Sequence, residues 1–163
     1  MSFKDFKYEG IIFKLDTPTR NGYVYQKERF VEILQNERIH DLLENGVFYC
    51  KTEPIRSGSV ITIDEIRKLS IIDIKNSSIK IHKLWIDGND IHAIISPMND
   101  EMYKKLEQQS PIYFSVLASG HLCLNHFANV DIKIVDIVHF INFTIVDFCL
   151  FDGLDGKFKR IYE

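Results

Sequence analysis

The chain has 163 residues, a net charge of −3, 45% hydrophobic residues and 26% charged ones, the balance of an ordinary globular protein with enough apolar side chains for one real core. That charge argues against bulk attraction to nucleic acid or anionic lipid. The apolar stretch 137–151 is broken by His139, Asn142 and Asp147, too polar to span a bilayer.

In chain order, FKYEGIIFKLD (6–16) reads as a strand, and TPTRNGY (17–23) as a loop punctuated by proline and Asn-Gly. From Gln26 to Leu43, apolar residues at Phe30, Ile33, Leu34, Ile39, Leu42 and Leu43 predict one or two short amphipathic helices, stopped by Asn45-Gly46. VFYCK (47–51) is a short strand and EPIRSGS (53–59) a loop. Thr62 and Glu65 have the spacing of a capping box opening a helical turn, although a strand also suits that stretch. IKIHKLWI (79–86), DGND and IHAIISP (91–97) form the clearest hairpin, with Ile81, Trp85 and Ile95 expected in its core. NDEMYKKLEQQ (99–109) is a helix with an asparagine cap, and PIYFSVLA (111–118) a strand leaving it. The run 128–153 is rich in β-branched residues and predicts further strand, and 153–163 is expected to be a tail. The whole predicts one α+β domain over 1–163, a small strand-dominated barrel flanked by short helices.

Three widely spaced cysteines, Cys50, Cys123 and Cys149, without a CxxC, fit reduced thiols rather than a disulfide framework. The start, MSFKDFKYEG, lacks the apolar core of a signal peptide, so use inside a cell is expected. His121, Cys123 and His126 are zinc-ligand types, but their spacing matches no common site. Asp87/Asp90 and Asp152/Asp155 flank glycines, which is turn chemistry before it is metal chemistry. No phosphate loop, dinucleotide fingerprint or EF-hand occurs. The reading therefore contains no cofactor, no metal and no direct nucleic-acid partner.

Four segments, taken together and in order, resemble the prohead proteases of tailed bacteriophages, the capsid-maturation serine peptidases related in fold to herpesvirus assemblin. GIIFKLDTPTRNGYVY (10–25) resembles the family's opening strand and Asn-Gly-x-x-Tyr loop. IKIHKLWIDGNDIHAIISP (79–97) is similar to its Leu-Trp hairpin, FSVLASG (114–120) to its Phe-Ser-x-Arg-x-x-Gly segment, and VDIKIVDIVHFINFTIV (130–146) to its closing strand. The resemblance implies a serine nucleophile at Ser115, and it implies losses. Where the family has a catalytic His-Pro, this chain has Glu53-Pro54. Where it has a second histidine, the matching residue is Ile79. Its arginine two residues after the serine is Leu117.

A serine hydroxyl is a poor nucleophile without a base in reach. His82 lies at an odd offset from Ile79, on the opposite strand face unless a bulge turns it back. His82 and His92, across the turn, read first as two polar residues on the open side of the hairpin, with a pairing between them as the alternative. Glu53 is a weak base at neutral pH while its pKa stays near about 4.3. Cys50, just before Glu53-Pro54, reads as a buried thiol. Ser115 is thus expected to mark a vestigial nucleophile position, with Glu53 or His82 as base only if the chain is active. The two functions in play are a phage virion or prohead assembly protein binding capsid, scaffold or core proteins, and an active prohead endopeptidase. Homo-oligomers are compatible with both, and neither involves a membrane. The expected site of action is the host cytoplasm during assembly, then the prohead or virion. The expected docking elements are the tail first, then the loops 17–25 and 56–59, which carry arginines and aromatics.

Overall fold

The computed structural model describes residues 3–52, 64, 67–68, 74–127 and 130–162, with side chains outside 124–131. Thr62, Glu65 and the 56–59 loop lie outside these residues. After a 3-10 turn at Phe3–Asp5 come β1 (Lys7–Lys14), β2 (Tyr23–Tyr25), α1 (Lys27–Leu34), α2 (Glu37–Glu44) and β3 (Tyr49–Lys51). Then follow β4 (Ser77–Asp87), β5 (Asp90–Pro97), α3 (Asp100–Glu107), β6 (Tyr113–Phe127), β7 (Val130–Val146) and β8 (Lys159–Ile161). The expected α+β, strand-dominated architecture is what the chain adopts.

A five-stranded sheet has the order β3-β4-β5-β1-β8, and a three-stranded sheet the order β2-β7-β6, with β2 parallel to β7. Their inner faces enclose one core that draws on both sheets and on α1, α2 and α3. Phe13 sits amid its aromatics, with ring centroids 4.9 Å from Tyr25 and 4.9 Å from Phe151, both edge-on. Phe30 of α1 and Phe143 of β7 close over it at 6.0 and 6.4 Å. Such edge-on and tilted pairs suit the ring quadrupoles.

The sheets meet at two seams. At one, the Ile112 N–H donates to Gly156 O at 2.8 Å, bringing the start of β6 to the segment before β8. At the other, β7 pairs with β2 only over Lys133–Val135 and makes an isolated parallel bridge from Ile145 to Thr52. Side chains bond several carbonyls between. Arg29 Nε donates to Ile137 O (2.8 Å), and Arg38 donates to Phe140 O (3.2 Å) and Ile141 O (2.8 Å). Asn142 Nδ2 reaches across to Tyr49 O at 2.7 Å. Sequence places these arginines. Asn36 caps α2 by accepting from the Arg38 N–H, and Phe30, Ile33 and Ile39 bury the apolar faces that hold both helices down.

Bulges set the faces of the large sheet. One in β1 between Ile11 and Phe13 lets Ile12 and Phe13 both be buried. One in β4 between Ile81 and Lys83 re-phases the hairpin. Ile79 and Ile81 point inward before it, and Leu84 and Ile86 pack against the core after it. Trp85 therefore faces outward, stacked on its register partner His92 at 5.4 Å with Lys83 over its ring. This corrects the expectation for Trp85; Ile81 and Ile95 are core residues as expected.

Two further expectations change. The strand expected over 111–118 continues through HLCLNH (121–126) as β6, which runs on to Phe127. Gly120 permits this because a Cβ there would stand 2.0 Å from Asp136 O. The expected tail is also part of the fold: β8 pairs with β1 (Lys7 with Ile161, Glu9 with Lys159), Phe158 is buried, and Arg160 pairs with Glu107 at 3.2 Å. Phe158 lies flat on Gly10, where any Cβ would meet its ring at 2.6 Å. Phe158→Ala should cost about 3–5 kcal/mol, and Trp85→Ala clearly less. Urea midpoints at unchanged m would show this; equal losses would overturn the face assignment.

Candidate functional site

Ser115 lies early in β6, between Phe114 and Val116, which turn toward the core. It pairs in register with Thr144 of β7, and both are 8% exposed. Tyr113 and Leu117 share its face by strand alternation, as expected. Among the described residues, no hydrogen bond to the Ser115 hydroxyl occurs. Leu117, where the related pattern has arginine, pairs with Asn142 and brings no charge to the position.

The neighbouring wall comes from β3 and β4. Thr52, the last described residue before Glu53, bridges to Ile145, next to Thr144. Its Oγ1 is 2.9 Å from Ser78 Oγ. Small hydroxyls at Ser115, Thr144, Thr52 and Ser78 thus lie on adjoining stretches of β6, β7, β3 and β4. Cys50 is fully buried, and burial alone drives its thiol far above the usual range. It stays protonated, its Sγ 3.7 Å from Asn142 Oδ1, and is no nucleophile. Ile79, opposite Cys50, is also fully buried. Glu53 and Pro54 lie outside the described residues.

His82 occupies the bulge of β4, yet the bulge delivers it to Ser96 of β5, with Nε2 to Oγ at 2.6 Å. Ser96 Oγ is in turn 2.6 Å from the Phe6 carbonyl and donates to it. A hydroxyl has one proton. With it on Phe6 O, Ser96 must accept from His82, so Nε2 carries the imidazole proton and Nδ1 is bare. Burial, then the positive charges of Lys80 and Lys7, push the His82 pKa down to about 4. His82 is thus a neutral residue of the large sheet, bonded to Ser96 rather than Ser115. His92 stacks on Trp85 and not on His82, so the alternative of a histidine pair does not hold.

His121 and Cys123 are exposed on β6, and among the described residues no group of three His, Cys, Asp or Glu is arranged to hold a metal. Asp87 and Asp90 are register partners closing the hairpin around Gly88 (φ 61°), Asp152 pairs with Arg20, and Asp155 accepts from the Lys157 N–H.

No family model matches the sequence, and no curated protein matches it. Among solved structures, the chain is similar to gp21, the capsid assembly protease of bacteriophage T4, with a TM-score of 0.60 at 15% sequence identity, covering 87% of this chain and 81% of that one. The fold is that of a phage capsid assembly protease. At this identity the likeness is one of architecture.

Sequence reasoning missed Ser96, which bonds His82; Thr144, the register partner of Ser115; and Ser78, which bonds Thr52. Each is a single small hydroxyl in a strand, and only register brings it to its neighbours. The depressed pKa of His82 has a thermodynamic sign. Because the fold favours the neutral ring, the stability it contributes is complete above about pH 6.5, the unfolded value. It is lost as pH falls from there toward 4. Wild type should lose more stability between pH 7 and pH 4 than His82→Gln, measured by urea midpoints across that window; parallel profiles would remove His82 as the titrating group.

Proposed function

We propose that this chain is a virion or prohead assembly protein of a tailed phage, one domain over 1–163, that keeps a capsid-maturation-protease fold without a working triad and acts by binding capsid, scaffold or core components. The observation that carries the reading is the fate of the two residues the chemistry needs. Ser115 sits in the fold of a capsid assembly protease with no base bonded to it among the described residues, while His82 spends its proton on Ser96. Where it sits, a ring held neutral down to about pH 4 is a poor proton acceptor. Leu117 offers no guanidinium to hold backbone donors toward an oxyanion. A fold retained without its site points to its surfaces. On this reading the protein works in the host cytoplasm during assembly and then in the prohead or virion, without metal, cofactor or nucleic acid.

One observation favours the second reading, an active serine endopeptidase. Thr52, which precedes Glu53 in the sequence, bridges to Ile145 beside Thr144, the register partner of Ser115. A carboxylate becomes an effective base only where burial lifts its pKa toward neutrality.

A fluorophosphonate probe and incubation with scaffold and capsid precursors separate the readings. The expected outcome is no labelling and no cleavage, with the protein retained on proheads in pull-down. Labelling that disappears in Ser115→Ala overturns the non-catalytic reading, and its loss in Glu53→Gln as well assigns the base.

A further inference from the structure

We infer that Ser115 and Thr144 hold one buried water between their hydroxyls, a site that gives Ser115 a structural task in place of a catalytic one. The site deepens, and rests on, the non-catalytic reading of Ser115 proposed above.

The two residues are register partners on β6 and β7, and each is 8% exposed. Directly opposed residues of an antiparallel pair project from the same face, with Cβ atoms about 4.5–5.5 Å apart. That face is turned from the main core, which takes Phe114, Val116 and their partners Ile145 and Phe143 instead. Neither hydroxyl has a hydrogen-bond partner among the described residues.

Elsewhere the chain pairs its buried hydroxyls. Thr19 Oγ1 accepts from the Tyr23 N–H at 3.0 Å. Ser78 Oγ lies 2.9 Å from Thr52 Oγ1. Ser96 accepts from His82 and donates to Phe6 O. Ser115 and Thr144 depart from this rule, and they do so directly across one ladder from each other. Buried polar atoms are bonded to protein or to ordered water in the large majority of cases. The nearby polar side chains are engaged already: Asn142 gives its Nδ2 to Tyr49 O and its Oδ1 to the Phe143 N–H, while Thr52 and Ser78 bond each other.

The chemistry of the pair selects the ligand. Each hydroxyl offers one donor and two acceptor lone pairs, without charge. Water matches that set. Two O–H···O bonds of about 2.7–2.8 Å let one water span oxygens up to about 5.5 Å apart, the scale of opposed side chains in a ladder. An anion would need a positive charge beside it. The neighbours of the pair on that face are Tyr113, Leu117, Asn142 and Val146, none of them cationic. Two neutral hydroxyls do not draw a proton from a water, so it is a bridge and not a reactant.

The test uses the full-length chain. A high-resolution crystal structure should show one water within about 3 Å of both Ser115 Oγ and Thr144 Oγ1. Urea midpoints at unchanged m are measured for Ser115→Ala, Thr144→Val and the double variant. Each single change strands the remaining hydroxyl and should lower the folding equilibrium constant about fivefold or more, whereas the double change leaves an apolar site of similar shape and should recover most of that loss. A direct bond between the two oxygens, or no water at the site, overturns the proposal. So do single variants as stable as wild type, or losses that simply add. Fluorophosphonate labelling keeps the two readings apart. Label on Ser115 overturns the non-catalytic reading and this site with it, while additive losses or a missing water without label overturn this site alone.

Discussion

The junction of the two sheets depends on sealing an edge of β7 that strands cover only in part among the described residues. β7 carries the long pairing with β6 and supplies Phe143 to the core, but among the described residues its other edge meets β2 at one end and Thr52 at the other. A carbonyl left unpaired at such a seam costs about as much as a lost hydrogen bond. Arg29 and Arg38 reach those carbonyls with charge-assisted donors, and Asn142 links β7 to β3 directly. The helices are therefore more than a cover for the sheet. They hold two guanidiniums where a strand would otherwise be needed, and the positions of Thr52 and Ser115 follow from that closure.

Much of the fold was legible in the residues. Periodicity located the helices at Phe30–Ile33 and Ile39, and residue type located the cap at Asn99 and the hairpin around Gly88, while the cap at Asn36 was not read. What escaped was phase. A period-two pattern assumes an unbroken ladder, and a bulge in β4 moves Trp85 from the expected inner face to the outer one. The run 153–163 failed for another reason. Its many polar residues conceal one phenylalanine whose partner is a glycine far earlier in the chain, a pairing no local window can reveal.

The candidate site was legible in its identities and not in its contacts. Ser115 and its facing were recoverable from alternation. The engagement of His82 was not, because it rests on a bulge, on Ser96 and on a main-chain carbonyl, none of which marks itself in sequence. The same histidine that a motif search would offer as a base is, in three dimensions, a clamp between β4, β5 and the start of β1.

The place of β1 between β5 and β8 has a kinetic consequence. Its inner neighbour must arrive from the middle of the chain, and its outer neighbour pairs Lys7 with Ile161. Thermodynamically such long closures are cheap, about 0.6 kcal/mol for each doubling of loop length. In time they are expensive, because the ordering entropy is spent before the distant contact returns anything. The β4–β5 hairpin and the β6–β7 arm can assemble from near neighbours, whereas the strand that unites the large sheet waits for both ends to meet. Until they do, Gly10 has no aromatic lid and β1 presents a bare flank. The pairings of β1 are thus the non-local ones of the large sheet, the kind that slows the folding of a β-rich chain.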